Sequence, residues 1–139
     1  MKKSISKESI SYQLCNLMVG KAMQKAEELG IAISISIVDE SGVVKFFNRM
    51  DYAPLISVDA SRKKAITAVG YGIPTGDTWY QFIKDDPILS EGVDSFKDFT
   101  LIGGGSPVVI EDQVIGAIGI SGGHYKQDEE CVNAALSAI

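Results

Sequence analysis

The sequence predicts an α+β domain in which an antiparallel β-sheet is flanked by α-helices. Three observations carry this prediction. A long segment with helical periodicity opens the chain, two adjacent strand-like segments joined by a tight turn follow it, and further strand-like segments cluster near the end. Neighbouring hairpins favour an antiparallel sheet over the parallel sheet of strand-helix repeats. The 139 residues, 45% hydrophobic and 22% charged, suit a single domain spanning residues 1–139.

The first element is predicted to be a helix over residues 7–29. Its apolar residues recur three or four positions apart from Ile10 to Leu29, which is the spacing of one helical face. Ser6 is the candidate N-cap, and Gly30 stands where a glycine commonly ends a helix.

A β-hairpin is predicted directly after this helix. Residues 39–42 form its turn and residues 43–48 its returning strand. Because one face of the first strand carries only small side chains, we expect a helix or a second subunit to pack closely against it. The alternation that defines the strand is Ile31, Ala32, Ile33, Ser34, Ile35, Ser36 and Ile37.

The middle of the chain is predicted to be helical and the end to return to strands. A second helix covers residues 55–69, Asp77 caps a short helix, and residues 85–92 form a loop. Three strand-like segments then follow, "FTLIGG", "PVVI" and "VIGAIGIS". A polar turn at residues 111–113 joins the last two, and a final helix begins at Tyr125.

The glycine-rich stretches do not match a nucleotide-binding loop. Neither "GGGSP" nor "SGGHYKQD" has the GxxxxGK[ST] spacing, and no GxGxxG opens a helix after the first strand of a βαβ unit. Residues 103–105 instead predict a bend with positive φ, and Gly119 predicts close approach of another backbone to a strand. Gly122 and Gly123 lead into a helix whose free N–H groups can hold a carboxylate or another anion.

Composition narrows the classes of function. The net charge of −5 and the absence of grouped basic residues argue against binding to nucleic acid or to anionic membranes. The sequence shows neither a secretory signal nor an apolar run of membrane-spanning length, which favours a cytoplasmic protein. Cys15 and Cys131 match no metal-ligand spacing and are predicted to be free, buried thiols.

No familiar catalytic or metal-binding set emerges from the residues. Ser121, His124 and Asp128 are too close in sequence for a catalytic triad, and they lack a nucleophile elbow. His124 is the single histidine and is interpreted as a solvent-facing residue at the start of a helix. The alternative, a metal or haem ligand, has no second histidine to support it. Catalytic and metal-binding residues are therefore left unassigned.

Two stretches contain sequence motifs that the periodicity of a helix or strand does not explain. "GGGSPVVIEDQVIGAIGISGGHYKQDEECVNAAL" places a glycine pair and a proline before a hairpin, then Gly-Ala-x-Gly-x-Ser-Gly-Gly and Gln-Asp before an alanine-rich helix. "SVDASRKKAITAVGYGIPT" forms the other stretch. Together they resemble the GlcG/HbpS family, a haem-binding or haem-degrading-type domain also found at the C-terminus of PduO-like corrinoid adenosyltransferases. The matching residues are Gly104, Gly105, Pro107, Gly116, Ala117, Gly119, Ser121, Gly122, Gly123, Gln127 and Asp128, preceded by Ala60, Lys64, Ala65, Thr67, Ala68 and Thr75.

The resemblance implies a profilin-like architecture and assembly into dimers or higher homo-oligomers with pockets at or near subunit contacts. The favoured function is noncatalytic binding of a small-molecule ligand at such a cleft, with haem or a corrinoid-pathway compound as the leading candidate. One alternative is a small-molecule enzyme of the haem-degrading, lyase or isomerase type. Another is an accessory protein to a cofactor-dependent enzyme of diol, glycerol or glycolate metabolism. Family membership alone does not decide between them.

A set of ligand-binding residues is predicted from the motifs and from departures from the family pattern. Lys64 can attract a carboxylate or propionate, the alternative being a member of a solvated basic cluster. Tyr52 replaces a glycine that many members have after Asp51, and it can stack on a planar ligand. The family's haem-ligating histidine near the N-terminal helix is missing, so His124, Tyr52, Tyr125 or a methionine would have to serve. The predicted set is Arg49, Asp51, Tyr52, Lys64, Gly104, Gly105, Ser121 and His124.

Overall fold

The protein folds as a four-stranded antiparallel sheet with helices on both faces, which confirms the predicted α+β class. The structure is a computed structural model that describes residues 1–139. The strand order across the sheet is β2-β1-β4-β3. No helix has both the length and the apolar character needed to cross a membrane. In chain order the elements are α1 (Tyr12–Leu29), β1 (Ser34–Asp39), β2 (Val44–Arg49), α2 (Ser57–Tyr71), α3 (Asp77–Ile83), α4 (Pro87–Gly92), a 3₁₀ turn (Val93–Ser95), β3 (Gly105–Ile110), β4 (Gln113–Ser121) and α5 (Tyr125–Leu136).

The first helix begins later than predicted, and Ser6 is not its N-cap. The cap is Ser11, whose hydroxyl accepts a hydrogen bond from the Leu14 N–H at 3.1 Å. Ile10 explains the difference, because its N–H donates to the Ile115 carbonyl at 2.9 Å and its side chain is fully buried. Ile10 is therefore attached to β4, and its burial there outweighs another helical turn.

Strand β1 has two contrasting faces, as its sequence predicts, although it begins at Ser34 and not at Ile31. The isoleucine face is buried in the main core together with residues of α1 and α5. The serine face receives α2, so the expectation of a closely packed helix on this face is confirmed. Two buried hydroxyl pairs join the elements, Ser34 with Ser57 and Ser36 with Ser61, each at 2.8 Å.

Helix α2 lies so close to the sheet that two strand positions have no room for a side chain. A Cβ atom at Gly119 would overlap the Ser61 carbonyl oxygen, and one at Gly105 would overlap the Lys64 carbonyl oxygen. The predicted role of Gly119 in close backbone approach is thus confirmed. Gly104 has φ of 115° and supplies the predicted bend with positive φ.

Two predictions for the middle segment are wrong. Residues 85–92 do not form a loop, because Asp86 caps helix α4 by accepting hydrogen bonds from the N–H groups of Ile88 and Leu89 at 3.0 and 3.1 Å. Pro87 then occupies the first helical position, where its missing N–H costs nothing. Asp77 is the first residue of α3 and makes no side-chain cap.

The segment "FTLIGG" is a loop and not a strand. Phe99 and Leu101 pack on a small apolar cluster around Trp79, and the Thr100 N–H donates to the Thr67 hydroxyl at 3.0 Å. The strand-like apolar residues of this segment are therefore used to attach α3 to α2. The backbone does not join the sheet until Gly105.

The close contact between α2 and β4 predicts that Gly119→Ala will be destabilising. The added methyl group would overlap the backbone of α2. We therefore expect the free energy of unfolding to fall by about 1–3 kcal/mol or more. Gly20→Ala is the matched control, because Gly20 lies on an exposed face of α1 with nothing within 4 Å of the added atom. It should stabilise by about 0.5–1 kcal/mol. Urea unfolding monitored by circular dichroism measures both, and equal stability of the two variants would contradict the proposed contact.

Candidate functional site

One end of the sheet gathers most of the predicted site residues. Ser34 at the start of β1 pairs with Arg49 at the end of β2 on one side and with Ser121 at the end of β4 on the other. Gly105 begins β3 at the same end and accepts a hydrogen bond from the Thr75 N–H, just before α3, at 3.0 Å. The chain therefore brings these strand ends close to the first turns of α2, α3 and α5.

A buried ion pair lies under this end of the sheet. The ammonium group of Lys64 donates to the carboxylate of Asp128 at 3.1 Å and to the carbonyl of Ile120 at 2.8 Å. Only 3% of the Lys64 side chain and 2% of the Asp128 side chain are exposed. Lys64 lies against Gly104 and Gly105 of the glycine-rich segment, and the alternative that it belongs to a solvated basic cluster is wrong.

Burial and the attraction between the two charges shift the pKa values of Lys64 and Asp128 in opposite directions. Burial lowers the pKa of Lys64 and raises the pKa of Asp128, while the attraction between the two charges opposes both shifts. Each charge therefore depends on its partner. Since Lys64 belongs to α2, Ile120 to β4 and Asp128 to α5, one ammonium group links three elements. Its contacts are internal, and the ligand-binding role predicted for Lys64 stays a prediction.

The carboxylate held at the start of α5 comes from the chain itself. The second oxygen of Asp128 accepts a hydrogen bond from the Gly123 N–H at 3.0 Å. The anion-binding position expected after Gly122 and Gly123 is thus filled by an internal group. Sequence analysis did not identify Asp128 as the partner of Lys64, although both residues belong to the family motifs.

His124 serves as the N-cap of α5. Its Nδ1 accepts a hydrogen bond from the Lys126 N–H at 3.2 Å, and its own N–H donates to the Gln127 side chain at 3.0 Å. The imidazole is exposed and packs against the Tyr125 ring with 4.5 Å between ring centroids. With Nδ1 acting as acceptor, the neutral ring carries its proton on Nε2, so metal ligation through Nε2 would require loss of this cap.

The remaining predicted residues lie at the turn between β2 and α2. Arg49 donates to the Ala53 carbonyl at 3.0 Å, and Asp51 is exposed. Tyr52 has φ of 67° and its side chain is 97% exposed. A tyrosine thus adopts a left-handed conformation that favours glycine, and its ring makes almost no contact within the protomer.

A cleft beside this end of the sheet has the character of a ligand site. We call it the sheet-end cleft; its volume is about 340 Å³. Three segments form it, residues 76–80 around the start of α3, the loop 101–103, and the first turns of α5. Tyr80 and Tyr125 provide aromatic walls, and Leu101 and Ile102 provide apolar ones. Its charged side chains are Asp77, Lys126 and Glu129.

The floor of the sheet-end cleft depends on a glycine. A Cβ atom at Gly103 would lie 2.5 Å from Glu129 Oε1 and 3.0 Å from the Tyr125 ring. None of the eight residues of the predicted ligand-binding set lines this cleft, but Tyr125, which was named as an alternative haem ligand, does. Tyr80 and Glu129 were not predicted as site residues, because no sequence motif marks them. A larger groove of about 450 Å³ between α1 and α5 is lined almost wholly by polar residues, which is typical of solvated surface.

The buried ion pair predicts strong coupling between Lys64 and Asp128. Lys64→Met and Asp128→Asn should each lower the free energy of unfolding by about 3–5 kcal/mol, because each leaves a buried group without its partner. The double variant should lose less than the sum of the two. A double-mutant cycle measured by urea unfolding tests this expectation.

The control for this cycle is the neighbouring residue Lys63. The Lys63 side chain is 41% exposed and its ammonium group lies 3.4 Å from the Asp59 carboxylate, so Lys63→Met should change stability by no more than about 1 kcal/mol. If the double variant loses as much free energy of unfolding as Lys64→Met and Asp128→Asn together, the ion pair has no energetic role.

Comparisons with known proteins extend over nearly the whole chain. A family model described as "Haem degrading protein HbpS-like" matches residues 10–137. An uncharacterized 15.0 kDa protein from the dhaT-dhaS intergenic region of Citrobacter freundii is 30% identical over 139 residues, which cover 100% of this chain and 98% of that protein.

Solved structures show the same architecture. Klebsiella pneumoniae protein ORFY matches with a TM-score of 0.90 and 30% identity, covering 99% of this chain and 95% of that one. A PduOC complex with haem matches with a TM-score of 0.82 and 28% identity, covering 94% of this chain and 95% of the other. The resemblance seen in the separated sequence motifs is confirmed by the family match and by the superposition of the fold: this protein belongs to the HbpS-like family.

Proposed function

We propose that this protein binds a small ligand at the sheet-end cleft without transforming it, and that haem is the first ligand to test. The observation that carries the proposal is the cleft itself, in which aromatic and apolar walls meet a few charged groups. This combination is typical of small-molecule sites. The PduOC complex with haem supports the choice of haem, because that structure shares the fold over most of the chain.

The size of the cleft supports a site shared between two copies of the chain. Its volume of about 340 Å³ lies near the lower end of the range of roughly 300–1,000 Å³ for small-molecule pockets, so a large planar ligand would extend beyond one protomer. Three apolar side chains near the start of α2 are largely exposed: Tyr52 at 97%, Leu55 at 79% and Ile56 at 77%. Such a patch favours self-association into a dimer or higher homo-oligomer.

Binding is proposed ahead of catalysis because the two buried charges are occupied by each other. Lys64 and Asp128 are the buried charged residues, and because they form an internal ion pair neither is free for proton transfer to a ligand. The haem-degrading alternative is favoured only by the family description. It requires loss of bound haem over time in the presence of a reductant, whereas simple binding leaves the haem spectrum stable.

The cap geometry favours Tyr125 over His124 as the residue that contacts iron. The Nδ1 atom of His124 is engaged at the helix start, whereas Tyr125 lines the sheet-end cleft. A tyrosine oxygen is a known axial ligand of haem. His124 would then support the Tyr125 ring from outside the cleft.

The expected result is a saturable Soret change on titration with haemin. Tyr125→Phe, which removes only the hydroxyl, should weaken binding about tenfold, the factor that corresponds to about 1.4 kcal/mol, and should shift the Soret maximum. His124→Asn is the matched control, because asparagine retains an N-cap but removes the imidazole. It should leave the Soret band unchanged. Absence of saturable binding would reject haem as the ligand, and a change with His124→Asn alone would assign the iron to His124.

A further inference from the structure

The carboxylate of Glu129 is a charged group in the sheet-end cleft that the fold does not use. The ion pairs of the structure are formed by other acidic side chains, and the hydrogen bonds around the first turn of α5 belong to Asp128, Gln127 and His124. Glu129 is half-buried, and its Oε1 lies against the backbone of Gly103 at the floor of the cleft. A carboxylate held in this way presents free acceptors to whatever enters.

The balance of charge in the cleft favours a cation. Asp77 and Glu129 contribute two negative charges, and Lys126 contributes one positive charge. Lys64 also lies near Glu129, but its charge is matched by Asp128. A positively charged group placed beside Glu129 would therefore balance the charge of the cleft, whereas a carboxylate placed at the same position would be repelled.

The aromatic walls of the cleft also favour a positively charged ligand. The Lys126 ammonium group lies 5.5 Å from the centroid of the Tyr125 ring, so the protein already places a cation over this ring. Tyr80, on α3, forms another aromatic wall of the same cleft. A tyrosine face beside a carboxylate is a favourable setting for an amine, because the ring and the carboxylate attract the same charge.

We propose that the sheet-end cleft selects small amines that carry a flat apolar body, with the ammonium group bound by Glu129 and the body placed between Tyr80 and Tyr125. The inference rests on the proposed function only in taking this cleft as the ligand site, and it does not require that haem be the ligand. Lys126 competes with the ligand amine for the same negative charge and the same ring. Glu129 should therefore raise the affinity of the cleft for an amine, and Lys126 should lower it.

Benzylamine, benzyl alcohol and benzoate are suitable probes because they share a ring and differ in charge. Isothermal titration at low salt should show benzylamine binding more tightly than benzyl alcohol, and benzoate binding most weakly. Glu129→Gln should weaken benzylamine binding about tenfold and leave benzyl alcohol unchanged. Lys126→Met should strengthen benzylamine binding. Glu130→Gln is the matched control, because Glu130 is the next residue on α5 but lines the groove toward α1, and it should have no effect.

Gly103→Ala tests the location without changing the net charge of the cleft, because its methyl group would displace the Glu129 carboxylate and fill the floor. Its Cβ would occupy the floor of the cleft, so the variant should lose both benzylamine and benzyl alcohol while keeping its circular dichroism spectrum. The proposal is overturned if benzoate binds as tightly as benzylamine, if Glu129→Gln has no effect, or if none of the three probes binds. Amine binding without a haem Soret change would reject haem alone, and haem binding without amine binding would reject the selectivity proposed here.

Discussion

The direct contact of the α2 backbone with the sheet is the constraint on which the rest of the structure depends. At Gly105 and Gly119 the strands have no side chain between themselves and the helix, and on β1 the intervening residues are serines. Because the α2 backbone lies directly against the sheet, the Lys64 side chain can reach past β4 to Asp128. Its ammonium group is almost completely buried. Larger side chains on these strands would lift the helix and separate the two charges.

The ion pair in turn determines how α5 presents its other side chains. Asp128 is fixed from both sides, by Lys64 and by the Gly123 N–H. Tyr125 and Glu129 are four residues apart and lie on the same face of the helix. Once Asp128 is anchored, this face is directed against Gly103. An interaction inside the protein thereby controls the surface that forms the sheet-end cleft, although neither of its charges lines the cleft.

The elements that could be predicted are those whose cause is local in sequence. The isoleucine and serine alternation predicts both the hairpin and a close neighbour on the serine face, and Gly30 ends α1 with φ of 70° as expected. Ser6 fails as a cap because Ile10 is buried against a strand that lies about a hundred residues further along the chain. Asp86 and Pro87 were a local capping pattern that could have been recognised.

The site was harder to predict than the fold because three distant segments form it. Periodicity places Lys64 and Asp128 on helices, but it cannot show that the two helices bring them within 3.1 Å of each other. The sheet-end cleft combines residues near positions 80, 102 and 125, and nothing in the local pattern around Tyr80 or Glu129 distinguishes them from surface residues. The family motifs lie beside this region, because Gly104 and Gly105 pack against Lys64 and Gly103, the preceding residue, lines the cleft.

The left-handed turn at Tyr52 carries a side chain that the interior of the protein does not use. Its backbone geometry costs any residue other than glycine about 1–2 kcal/mol, and its ring is 97% exposed. The interior thus gains nothing from the tyrosine. The side chain at position 52 can contact only molecules outside the protomer. Another side chain can therefore replace it without compensating changes in the interior.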